Sequence, residues 1–418
     1  MKTIGIIAEF NPFHKGHEYF IDEAKKLSGA DSVVVVMSGD YVQRGECAIW
    51  DKFRRAEMAV ISGADMVPEL PVVFSTGSAR DFAYGAVSLL DNLGVIDELW
   101  FGSESGDMRL FDVISGIFAD EPVEYSDALR SNLKYGMSFP AARAAAFAFV
   151  FDNDPGFIKK CDLDNDAGLD ENAINTFLSS PNNILGIEYC LALKKLKSNI
   201  VPKTLTRLGG GYNDKALNSK YSSASAIRLA LADKRFGDAF SALPASITAN
   251  FDIWDLFKKT LCIDDFSLIL RYILMRESAE LLSDFRDVGI DLARRIKQHE
   301  NDFRSFSQFA MLLKNKSTTY SHICRALIHI ILGLTDADFE SAVNANHIRL
   351  LGINKSNSAL LSAAKANSRA SLCPKPSALK DGSYDKELFA SNLYESVYAH
   401  KFNAPFTHEY RKQMIIKN

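Results

Sequence analysis

The chain is expected to be an α/β protein in which a parallel sheet wrapped by helices is followed by a mostly helical C-terminal region. Three observations predict this. Short apolar runs of strand character recur at Thr3–Phe10, Asp31–Met37, Asp65–Glu69 and Glu98–Phe101. Stretches with apolar residues at helical spacing separate them, and this alternation is what a parallel sheet with crossover helices requires. From about Phe236 onward helical spacing dominates.

Thr3–Phe10 (TIGIIAEF) is apolar without alternation, as in a strand buried on both faces. A helix follows over His17–Leu27, with Tyr19, Phe20, Ala24 and Leu27 near helical spacing and Gly29 as its stop. Asp31–Met37 (DSVVVVM) is a second buried strand, and Ser38-Gly39-Asp40 is the loop after it. A helix over Lys52–Ser62, the short strand Asp65–Glu69, a helix over Ala79–Leu93 and the strand Glu98–Phe101 complete the alternation. In such sheets the ligand lies beyond the carboxyl ends of the strands. His14, Asp40 and Gly102 each come just past such an end, so one crevice is expected to gather all three.

Gly106–Leu178 reads mostly as helix, punctuated by acidic turns at Asp152–Pro155 and Asp162–Asp170. Pro181–Leu196 is a further helix, Ile200–Leu205 a strand, and Ser225–Ala232 a helix opened by a Ser-rich cap. Helical stretches follow at Phe251–Glu277, Asp291–Leu313 and Tyr320–Leu334. Asp336–Asn418 mixes helices with a Pro-rich segment, Pro374–Pro376. The expected domains are residues 1–235, with a helical insertion at about 107–178, a helical domain 236–335, and a small α+β module 336–418.

Composition limits the function classes. The 418 residues are 47% apolar and 24% charged, ordinary for a globular chain with a sizeable core. A formal charge of −4 does not advertise a nucleic-acid binder, although a local basic face matters more than the total. Cys47, Cys161, Cys190, Cys262, Cys324 and Cys373 form no CxxC pair, which argues for reduced thiols rather than a zinc ribbon or disulfide framework. Signal-peptide and membrane-span patterns are not evident, so the expected location is cytoplasmic, with no membrane association and no stable protein partner.

The chemistry concentrates at His14-Lys15-Gly16-His17. Adenylation needs an anion to attack the α-phosphorus of ATP while pyrophosphate leaves, a barrier set mostly by charge and positioning. Two imidazoles three positions apart at a helix start can both face a triphosphate and donate to it. Gly16 allows close approach, and the helix N-terminus adds amides and dipole. The other readings of this turn are a helix cap or a pair of metal ligands, and for a metal no third ligand stands at close spacing. Ser222-Ser223-Ala224-Ser225-Ala226-Ile227-Arg228 places hydroxyls, amides and a guanidinium at a second helix start, a phosphate cradle or an ordinary Ser cap. Gly102 after its strand, Asn182 and Asn183 at a helix start, and Arg207 ahead of the Gly209–Gly211 turn are candidate nucleotide contacts. Ser38–Arg55 is dense in Asp40, Gln43, Arg44, Lys52 and Arg55.

Longer strings narrow the reading: GIIAEFNPFHKGH (Gly5–His17), SGDYVQRGE (Ser38–Glu46), DKFRRAEMA (Asp51–Ala59), GADMVPELPVVFS (Gly63–Ser75), FGSESGD (Phe101–Asp107), PNNILGIEY (Pro181–Tyr189) and SSASAIR. With SHICRALIHIILG (Ser321–Gly333) and IRLLGIN (Ile348–Asn354), they resemble the bacterial tRNA(Met) cytidine acetate ligase family over nearly the whole chain. That family lies in the HIGH-type nucleotidyltransferase superfamily, so the resemblance implies a Rossmann-like catalytic domain. It implies that acetate attacks the α-phosphate of ATP to give acetyl-adenylate. N4 of the wobble cytidine of elongator tRNA(Met) then attacks the acetyl group, giving N4-acetylcytidine and AMP.

Carried onto this chain, the implied ATP contacts are Ile7, Ala8, Glu9, Phe10, Asn11, Pro12, Phe13, His14, Lys15, Gly16, His17, Glu18, Tyr19 and Phe20. Gly102, one of Asn182 and Asn183 with Asn183 preferred, Arg207, Leu208 and Ser225 join them. His14, His17, Asp40 and Arg228 are the expected catalytic set, with a pocket for acetate near Asp40 and Mg2+ accompanying the triphosphate. For tRNA, Asp291–Arg325 carries seven Lys and Arg against three acids. Lys314, Lys316 and Arg325 are the expected contacts there, with Tyr320 and His322 near enough to stack a splayed base. A small-molecule adenylyltransferase and a non-catalytic nucleotide- or RNA-binding protein are the competing readings.

Overall fold

The computed structural model describes residues 1–153, 171–207, 222–316, 318–379 and 382–417. Five strands form a parallel sheet: β1 (Thr3–Ala8), β2 (Ser32–Ser38), β5 (Met66–Leu70), β6 (Glu98–Ser103) and β7 (Val201–Thr206). Their order, β5-β2-β1-β6-β7, reverses direction at β1. This is the doubly wound arrangement, in which the crevice at the reversal receives the ligand. Alternate residues of β2 enter two separate cores, Val34 and Val36 on one face and Val33, Val35 and Met37 on the other. The sheet is therefore covered on both faces, which is why its strands read as unbroken apolar runs.

Helices α1 (Lys15–Ser28), α2 (Lys52–Ile61), α3 (Ala79–Leu93), α4 (Pro181–Leu196) and α5 (Ala224–Ala232) fall where spacing and caps predict them. The longer helical expectations are cut shorter. Phe251–Glu277 holds helices at Ile253–Lys258 and Ser267–Arg276, with the 3-10 turn Ile263–Phe266 between them. The gap is used: the Leu261 amide donates to the carbonyl of Ile49, 3.1 Å away, docking this segment on the N-terminal region. Asp291–Leu313 divides likewise into Ile290–Gln298 and Phe306–Leu313. The turns expected at Asp162–Asp170 and Gly209–Gly211 lie outside the described residues.

The C-terminal stretch extends the same sheet. β8 (His347–Asn354) pairs antiparallel with β5, and β9 (Ser371–Cys373) and β10 (Ile415–Lys417) pair parallel with β8. The β5–β8 register shifts between Val67 and Pro68, where proline has no amide to donate. A buried charge network seals this junction. Lys52 Nζ lies 2.7 Å from Glu69 Oε1 and 3.2 Å from Glu409 Oε1. The Tyr384 hydroxyl donates to Glu69 Oε2 at 2.7 Å, and Arg349 lies 3.5 Å from Glu409 Oε1. The Ser391 hydroxyl stands 3.0 Å from Asp40 Oδ2 and 2.9 Å from Glu409 Oε2, one hydrogen between two carboxylates.

Without Lys52, buried Glu69 would lose its cation and Glu409 would keep only Arg349. Lys52→Ala is accordingly expected to lose about 3–5 kcal/mol of unfolding free energy, read from urea titrations at neutral pH. A loss below about 1 kcal/mol would mean that the network contributes nothing through this cation.

Candidate active site

Beyond β1 the chain turns at Asn11 and Pro12. Phe10 adopts φ 49, and the Asn11–Pro12 peptide is cis. The Asn11 side chain accepts from the Ile49 amide at 2.9 Å. The buried guanidinium of Arg55 donates to the carbonyls of Glu9 (2.6 Å), Ser38 (3.1 Å) and Trp50 (2.9 Å), and also to that of Gly39. His14 is the N-cap of α1, where its Nδ1 accepts from the Gly16 amide at 3.0 Å. In a neutral ring this leaves the hydrogen on Nε2. The His14 and His17 rings stack with centroids 3.7 Å apart, and Phe10 meets His17 edge-on at 4.9 Å.

Burial, and secondarily the positive charge of Arg207, holds the His14 pKa down to about 3. Burial first, then His14 and Arg207, holds His17 well below the usual histidine range. Both imidazoles are therefore neutral near pH 7, each with one N–H to donate. His17 Nδ1 is buried and has no hydrogen-bond partner among the described residues.

The turn forms one wall of a cavity of ≈ 240 Å³. Of the expected site residues, Ile7, Ala8, Glu9, Phe10, Asn11, His14, Gly16, His17, Tyr19, Phe20, Gly102, Asn182, Arg207, Ser225 and Arg228 line it. The opposite wall is the start of α5, where Ser223 caps the helix by accepting from the Ala226 amide at 3.1 Å. Arg228 joins the walls, donating to the Asn11 carbonyl at 2.7 Å and standing 3.4 Å from Ser225 Oγ. Glu46 lies 3.5 Å from the same guanidinium. Gly102 leaves the floor flat: a Cβ there would lie 3.2 Å from Arg207 Cγ and 3.7 Å from Phe20.

Other expected residues stand elsewhere. Lys15 donates to the Ser241 carbonyl at 2.7 Å, Glu18 accepts from Ser246 at 2.6 Å, and Phe13 is fully buried in the core. Pro12 does not line the cavity. Both asparagines hold the loop after β6, and of the two Asn182 lines the cavity. Asn183 Oδ1 accepts from the Glu104 amide at 3.0 Å, and the Asn182 side chain donates to Glu104 Oε1 at 2.7 Å while receiving Arg207 at 3.3 Å.

Asp40 stands apart from the cavity. Its carboxylate faces the Lys52 amide (2.8 Å) and Ser391 in the C-terminal junction rather than the cavity. Burial pushes its pKa up to about 6. Arg325 is mostly buried, with Nε 3.3 Å from Asp287, while Lys314 and Lys316 are exposed. Leu208 lies outside the described residues.

Sequence reasoning singled out Gln43 and Arg44 without assigning them a role; both line the cavity, and the Gln43 amide donates to Glu9 Oε1 at 2.7 Å. Leu185 and Tyr189 were missed as lining residues, although with Asn182 they fall on one face of α4. No three or more His, Cys, Asp or Glu side chains gather as a metal site among the described residues.

Comparisons with known proteins fit this geometry. The model of the HIGH Nucleotidyl Transferase family matches residues 1–409. A tRNA(Met) cytidine acetate ligase from Clostridium acetobutylicum is 38% identical over 421 residues, covering 100% of both chains. Its counterpart from Caldanaerobacter subterraneus subsp. tengcongensis is 36% identical over 409 residues, 95% of this chain and 96% of that one. Among solved structures, Thermotoga maritima TmcAL bound with alpha-thio ATP superposes with a TM-score of 0.87 at 28% identity, over 100% of both chains. The apo form of the same protein gives a TM-score of 0.89 at 28% identity, again over 100% of both chains.

The depressed histidine pKa has a sign that can be tested. As pH falls through about 6.5 the unfolded chain takes up a proton at His14, while the folded chain resists until about 3. Stability from the buried neutral ring is therefore complete above the unfolded pKa and lost on acidification. His14→Asn keeps an acceptor for the Gly16 amide and removes the titration, so its urea midpoint should fall less steeply than wild type between pH 7 and pH 4. Parallel curves would show that His14 is not held neutral.

Proposed function

Since the chain belongs to the tRNA(Met) cytidine acetate ligase family of HIGH nucleotidyl transferases, we propose that it activates acetate with ATP and acetylates N4 of the wobble cytidine of elongator tRNA(Met). The observation that carries the reading is the Arg228 bridge to the Asn11 carbonyl, 2.7 Å long. It joins the histidine turn to the Ser-rich helix start and makes one anion-binding crevice from segments far apart in sequence.

In this reading the triphosphate lies between the two helix N-termini, whose dipoles favour negative charge. An acetate oxygen attacks the α-phosphorus, and the bond to the departing pyrophosphate breaks. His14 and His17 donate to the phosphate oxygens on which charge develops, with Arg207 and Arg228 as the adjacent cations. Cytidine N4 then attacks the acetyl carbonyl carbon, AMP leaves with the electron pair of the cleaved C–O bond, and the amine gives up a proton. Asn182 and Gly102 hold the nucleoside end of ATP. Mg2+ would enter with ATP as part of the substrate, and Glu9 and Glu46 are the carboxylates that line the cavity.

The tRNA surface is assigned to the helical half, with the exposed Lys314 and Lys316 as its phosphate contacts. No helix among the described residues is long and apolar enough to cross a membrane, and the reaction is assigned to the cytoplasm, where its substrates are. The adenylyltransferase and non-catalytic readings lose support because the ligase relatives align through the helical half as well.

Incubation with ATP, labelled acetate and bulk tRNA should deliver the label to acetylcytidine alone, and label in any other nucleoside would reject the assignment. His17→Ala is expected to slow acetate-dependent ATP–pyrophosphate exchange by about 10²-fold or more. Lys314→Glu with Lys316→Glu should weaken tRNA binding and flatten its salt dependence while the exchange rate stays at the wild-type value.

A further inference from the structure

Helices α3 and α4 also wall a second, larger cavity of ≈ 580 Å³, whose third side is the helix Asp336–Val343. The two cavities use adjoining stripes of α4. Leu185 and Tyr189 face the first, while Glu188 and Lys195 face the second, directions that helical geometry sets roughly 100° apart.

Glu188 is the informative residue. It is 3% exposed, and Arg143 pairs with its Oε1, but Oε2 has no hydrogen-bond partner among the described residues. A buried carboxylate oxygen without a donor is costly, so this wall is suited to a ligand that brings an N–H. Tyr84 and Phe339 add aromatic surface to the lining. Arg80 and Lys195 stand exposed at the rim. Burial and then the Arg80 charge lower the Lys195 pKa; Glu340 stands exposed at the same opening, and Asp81 is paired with Arg286 at 2.9 Å. An N–H edge on a flat ring, with an anion one group away, is the chemistry of a nucleotide whose base carries an amine or imide.

We propose that this cavity receives a second nucleotide of the acceptor RNA, distinct from the cytidine that reacts. Its base N–H donates to Glu188 Oε2, its ring lies against Tyr84, and its phosphate meets Arg80 and Lys195. The inference rests on the tRNA reading above and deepens it: α4 then reads two splayed nucleotides of one loop from two of its stripes.

Two variants test this without touching the first cavity. Val343→Trp fills the pocket from a position that is 38% exposed, and Arg80→Glu reverses the charge at the rim. Each is expected to raise the KM for tRNA in acetyl transfer about tenfold, while acetate-dependent ATP–pyrophosphate exchange, which reports an intact fold and first site, stays within about twofold. A tRNA KM unchanged in both variants overturns the proposal. Guanosine and uridine 5′-monophosphates should compete with tRNA on the wild-type enzyme and not on Val343→Trp. If they bind the wild type alone but neither variant alters the tRNA KM, the cavity belongs to a free nucleotide and the RNA assignment fails. A wild-type enzyme that exchanges pyrophosphate but acetylates no RNA refutes the tRNA reading itself, an outcome distinct from the others, and the proposal falls with it.

Discussion

Arg55 is the constraint on which the catalytic end of the sheet depends. Its guanidinium is 0% exposed and donates to the carbonyls of Glu9, Ser38, Gly39 and Trp50. Those carbonyls belong to the exit of β1, the exit of β2 and the turn that enters α2. A buried cation is tolerable only when its N–H groups are satisfied, and backbone carbonyls at strand ends are otherwise left without partners. Each side thus solves the other's problem. The result is that the loops after two adjacent strands share one rigid anchor, and Phe10 with its left-handed φ of 49 is held directly beside it.

From that anchor the chemistry builds outward in layers. The fixed turn seats His14 at the helix start, where the Gly16 amide decides which ring nitrogen accepts. Burial, with the positive charge of Arg207, keeps both imidazoles uncharged. Behind them the network around Lys52 ties α2 and β5 to Tyr384, Ser391 and Glu409 of the C-terminal stretch. Asp40 belongs to this second layer: it is close to the catalytic loops in sequence and serves the junction in space.

The catalytic half was legible because its signals are local. Unbroken apolar strands, glycine stops and Ser caps located β1, β2, β6, α1, α3 and α4 within a few residues, and the histidine turn announced the crevice. What stayed hidden depends on tertiary contact. IRLLGIN is a short apolar run that periodicity cannot assign to strand or helix, so β8 was not anticipated. The hairpin of β3 (Tyr41–Val42) and β4 (Glu46–Cys47) is too short for any period to register. Asn182 meets Arg207 at the cavity, and Arg325 is spent on Asp287. Neither partner can be read from spacing.

The antiparallel seating of β8 against β5 has a consequence for synthesis. The strands that carry the histidine turn leave the ribosome first, yet β5 remains an open edge until residues 347–354 have emerged. Its unpaired amides and carbonyls are a template for any other extended chain in the interval. Pro68, which interrupts the β5–β8 register, shortens that template, because a proline has no amide to offer a wrong partner. The nascent enzyme thus carries its own guard against mispairing through most of its translation.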